Sequence, residues 1–80
     1  MNDDEILNRI NHLVQEEHTL LSQEERGELT DPGNERMRAL EVTLDQCWDL
    51  LRQRRARRAA GGDPDTAQVR SADVVEHYKQ

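Results

Sequence analysis

Three groups of residues carry the chemistry this chain could perform. Arg52, Arg54, Arg55, Arg57 and Arg58 place five guanidinium groups within two turns of an expected helix. That spacing could track phosphates with salt-sensitive, sequence-independent affinity. Glu16, Glu17 and His18 set carboxylates beside an imidazole, the groups used for proton transfer or metal ligation. Cys47, the only cysteine, would be a candidate nucleophile if it were exposed beside the arginines.

Each group also has a plainer reading. The arginines lie toward the C-terminal end of their helix, where cations complement the dipole, and the sequence pI of 4.9 is far from that of a nucleic-acid binder. Glu17 and His18 are adjacent, so on a helix they point about 100° apart. Bundle metal sites instead place Glu and His three residues apart. Glu17 is better read as a polar residue in an apolar seam, paired with an Arg, with Gln46 or with its symmetry mate, and fixing register. Cys47 continues an apolar series and reads as a small buried hydrophobe. His12 and His77 have no ligand spacing with Cys47 or with each other. No Gly-rich phosphate loop, nucleophile elbow or two-Cys zinc motif occurs. No catalytic residue, metal or cofactor is therefore expected.

These residues are positioned by two long helical patterns. The first, from about residue 3 to 25, alternates steps of four and three through Ile6, Ile10, Leu13, Glu17 and Leu20, with Leu7, Val14 and Leu21 repeating every seven beside it. The resulting stripe is wider than one partner helix covers. Gly27 interrupts the pattern, and Thr30-Asp31-Pro32 restarts it with an N-cap and a proline in the first turn. The second helix, from about 32 to 60, carries Met37, Leu40, Leu44, Cys47 and Leu51 on its main face, with Trp48 beside them, and Ala39, Val42 and Leu50 opposite. Gly61 and Gly62 end it.

A short connection implies an antiparallel hairpin. Facing positions then bring Ile6 near Leu51, Ile10 near Cys47 and Trp48, and Leu13 near Leu44. The same pairing sets Asp3, Asp4 and Glu5 beside Arg54, Arg55, Arg57 and Arg58. Charge supports this orientation: residues 1–31 hold nine acids and two bases, whereas residues 32–60 hold four acids and seven bases. Residues 63–80 read as a linker and a short helix started by Ser71, with Val74, Val75 and Tyr78 docked on the body or on a partner.

Eighty residues give only a marginal core for one domain. The fold expected is therefore all-α, an antiparallel two-helix hairpin over residues 1–62 with a short C-terminal helix, two copies forming a homodimeric four-helix bundle. An acidic N-terminus, a lone cysteine and the lack of a long apolar run point to a cytoplasmic protein without a membrane segment.

Glu16-Glu17-His18 with Leu20, then Leu40-Glu41-Val42, the run Leu44 to Ala56 (LDQCWDLLRQRRA), Asp63-Pro64, Val69-Arg70, Val75-Glu76 and Tyr78 together make the chain resemble a small bacterial family. That family is known as domain of unknown function 2630 and occurs chiefly in actinobacteria. The resemblance covers nearly the whole chain and implies a bacterial cytoplasmic protein, with no activity to transfer.

The functional expectation is a non-enzymatic interaction or adaptor module, with an unidentified protein as a possible partner. Its dimer or core seam would use Leu7, Ile10, Val14, Glu17, Leu21, Leu44, Cys47, Trp48 and Leu51. The alternative is nucleic-acid or polyanion binding through Arg52 to Arg58.

Overall fold

A computed structural model describes residues 1–78, with side chains through Glu76. Helix α1 (Asp3–Glu25) begins at a reciprocal cap. The Asn2 side chain accepts from the Glu5 backbone N–H at 2.8 Å, and the Glu5 carboxylate accepts from the Asn2 N–H at 3.0 Å. Asp3, Asp4 and Glu5 occupy the first turn, where negative charge complements the dipole. The helix ends where Gly27 adopts φ +69°. The Gly27 N–H then bonds to the Glu24 carbonyl and the Glu28 N–H to that of Gln23, satisfying carbonyls the helix leaves open.

Helix α2 (Asp31–Ala59) starts from Thr30, whose hydroxyl accepts from the Gly33 N–H at 3.1 Å. Gly33 also makes room for Leu29, since a Cβ there would lie 2.6 Å from the Leu29 side chain. At the far end Gly61, at φ +79°, repeats the ending seen at Gly27, with the Gly62 N–H reaching back to the Arg57 carbonyl.

The two helices run antiparallel, with Asp3 of α1 paired to Arg54 of α2 at one end and Glu16 paired to Arg36 toward the other. Between them lies one core: Ile6, Ile10 and Leu13 from α1, and Leu40, Leu44, Cys47, Leu50 and Leu51 from α2. Fully burying an aliphatic side chain contributes about 1.5–3 kcal/mol, so these residues supply most of the cohesion.

The stretch read as a linker from sequence is docked along α2. A 3-10 turn (Pro64–Thr66) and α3 (Ala72–Tyr78) both pack on it. Val75 is buried, Val74 is exposed, and Ala67 packs against the core. The C-terminal segment thus covers the Leu50 side of α2 in cis. The docking expected of the Tyr78 side chain falls outside the described residues. Among those residues, no buried side-chain nitrogen or oxygen lacks a hydrogen-bond partner, and no helix is long and apolar enough to cross a membrane.

Candidate functional site

The arginine cluster divides into members tied to Asp3 and exposed members. Arg54 is buried, its Nε donating to Asp3 Oδ1 at 2.6 Å and its Nη1 to Asp65 Oδ1 at 3.0 Å and to the Pro64 carbonyl at 3.2 Å. Arg58 donates from Nη2 to the other Asp3 oxygen at 2.7 Å. One carboxylate near the N-terminus thereby closes the end of the hairpin and, through Arg54, holds the 3-10 turn. Hydrogen bonds from Arg54 and then Arg58 keep the Asp3 carboxyl below the usual carboxylate range. Arg52, Arg55 and Arg57 remain exposed. Of the remaining N-terminal acids expected beside the arginines, Glu5 caps its own helix.

A second polar cluster escapes the sequence reading. Asp49 is only 2% exposed, yet both its oxygens are engaged by the fork of Arg70, Nη2 to Oδ1 at 2.6 Å and Nε to Oδ2 at 2.9 Å. Gln53 donates to Asp49 at 3.0 Å and to the Gln68 carbonyl at 2.8 Å, while Gln46 donates to the Arg70 carbonyl at 3.2 Å. Burial pushes the Asp49 carboxyl up, but the bonds from Arg70 and Gln53, with the charges of Arg70 and Arg52, outweigh it and leave it below the ordinary range. The available signal was spacing: Gln46, Asp49 and Gln53 step by three and four along the helix side that carries Val42 and Leu50. This cluster is a strap that ties residues 68–70 to α2.

A further surface feature is an open face around Trp48. Its side chain is 44% exposed, with Leu7 at 41% and Leu21 at 39%. Val14 and Glu17 are half-buried. Beside Trp48 runs a groove of about 450 Å³, walled by Val14 and Glu17 of α1, Glu41, Val42, Leu44 and Asp45 of α2, and Glu76 of α3. Of the seam residues expected from sequence, Ile10, Leu44, Cys47 and Leu51 lie inside the hairpin core, whereas Leu7, Leu21 and Trp48 face outward. Glu17 and His18 belong to no candidate metal site; among the described residues no three His, Cys, Asp or Glu side chains are grouped to hold an ion. Cys47 is a buried free thiol. Chemically, the open face offers apolar contact rimmed by carboxylates, a surface for association.

Comparison with known proteins adds family and no activity. Residues 2–80 match the family described as "Protein of unknown function (DUF2630)". Uncharacterized proteins of Mycobacterium bovis and of Mycobacterium tuberculosis are each 51% identical over 77 residues, covering 95% of this chain and 88% of theirs. No solved structure matches.

Proposed function

We propose, for a chain that belongs to the DUF2630 family of proteins of unknown function, a non-enzymatic role as a helical interaction module that works as a homodimer. The carrying observation is the outward face of Trp48, Leu7 and Leu21. Exposed large apolar side chains rimmed by charge mark association surfaces. Pairing two such faces makes the four-helix bundle that the stripe width calls for.

Multi-angle light scattering tests the reading. A mass of twice 9.3 kDa at micromolar concentration is expected, and a fully helical monomer would refute it. The second reading, polyanion binding, draws on exposed Arg52, Arg55 and Arg57 and expects salt-sensitive binding of labelled DNA. Against it stand the acidic balance of the chain and the commitment of Arg54 and Arg58 to Asp3.

A further inference from the structure

The outward stripe of α2 has an order of charge that bears on how two copies would meet. Glu41, Asp45, Trp48, Arg52 and Arg55 follow one another by steps of four, three, four and three. On a helix this spacing holds residues to a single stripe. Glu41, Trp48, Arg52 and Arg55 are exposed and Asp45 is half-buried. Acids fill the first half, bases the second, and the one large apolar side chain stands between them. Glu41 and Arg55 each lie seven residues from Trp48, about 10 Å along the axis on either side. Neither forms an ion pair among the described residues.

From this we infer that the partner of the Trp48 face is a second copy of the chain, docked antiparallel about a two-fold axis at Trp48. The inference rests on the dimer reading above and specifies its geometry. A two-fold contact is self-complementary: if residue i meets residue j of the other copy, then j meets i. With the axis crossing α2 at Trp48, Glu41 meets the second copy's Arg55 and Arg55 meets its Glu41. Arg52 falls near the second copy's Asp45. The two indoles meet at the centre, beside the groove that Val14 and Val42 wall on each chain, where mutual burial makes each an aromatic anchor. A parallel pairing of the same faces would set Glu41 on Glu41 and Arg55 on Arg55. Charge order therefore selects the antiparallel arrangement, as charges flanking a helical seam select orientation in coiled coils.

The test is a charge exchange read by sedimentation equilibrium at low salt, with circular dichroism as the check on folding. E41R and R55E each turn two attractive contacts per dimer into two repulsive ones, and each alone should dimerise roughly tenfold more weakly or worse. An equimolar mixture of the two should restore dimer as the heterodimer, because the E41R chain, basic at both positions, then faces the R55E chain, acidic at both. The double variant E41R/R55E should also recover. A wild-type dimer that both single variants leave unchanged, or single variants that weaken but do not recover on mixing, would overturn the two-fold at Trp48 while leaving the dimer standing. A monomeric wild type would overturn both readings.

Discussion

Asp49 places a carboxylate among apolar neighbours on a helix side that would otherwise accept only uncharged groups. Its compensation comes from Arg70 and Gln53, and Arg70 is reached only because the chain beyond the second helix folds back. Replacing one partner of such a pair leaves the other desolvated and unmatched. Asp49→Asn should therefore lower stability by about 1–3 kcal/mol at neutral pH, as measured by urea unfolding. Because the folded-state value of this carboxyl lies below its unfolded value, its contribution is present above about pH 4 and is lost as pH falls through the folded-state value. The wild type should lose stability as pH falls below about 4, and the Asn variant less steeply. Reading for rare residues and charge runs selects Glu17, Cys47 and the arginines, and passes over Asp49. A carboxylate between Trp48 and Leu50 counts as surface until residues 68–70 are known to lie across it.

At the scale of elements, the two long helices were legible because each local signal agrees with the next. The alternation of three and four defines their apolar faces, Thr30 and Pro32 open α2, and Gly27 and Gly61 supply the positive φ that their endings require. The reciprocal cap of Asn2 and Glu5 is equally written in the spacing N-x-x-E, a variant of the capping box. Residues 63–71 were not legible. Their position depends on main-chain carbonyls of Pro64, Gln68 and Arg70 accepting from side chains of α2, and a carbonyl leaves no mark in a sequence. In the short helix that follows, the two adjacent valines differ sharply in burial. Val75 is 1% exposed and Val74 42%, so Val75→Ala should cost about 1–3 kcal/mol in thermal or urea unfolding, and Val74→Ala less than about 0.5. Equal effects would mean that α3 is held some other way.

Taken whole, the molecule is a slab of 50 × 25 × 16 Å measured over its Cα atoms. One broad side of α2 is packed by residues 64–75 and another by α1, and Trp48 lies on a side that neither covers. Composition announced the general case, since a short, polar chain has little core of its own. It could not say which face stays open, because that depends on where the C-terminal segment goes. Sequence patterning thus gave an apolar stripe too wide for a hairpin, and the fold distributes it between an internal core and an external surface.

The clasp at Asp3 also sets an order of assembly. Glu16 and Arg36 are 20 residues apart in the chain, whereas Asp3 and Arg54 are separated by 51. Closing a longer loop costs more entropy, and contacts made near the turn shorten the loop that remains. The hairpin is therefore expected to zip from the turn outward and to join its two ends last. Interactions formed after the transition state govern how fast a protein comes apart and have little effect on how fast it forms. Asp3→Asn should accordingly speed unfolding in stopped-flow circular dichroism and leave the folding rate nearly unchanged, whereas an equal slowing of folding would place the clasp in the nucleus. On the ribosome, α1 would have to wait for most of the chain to emerge before its first turn found a partner, so the N-terminal acid acts as a latch on a molecule already built.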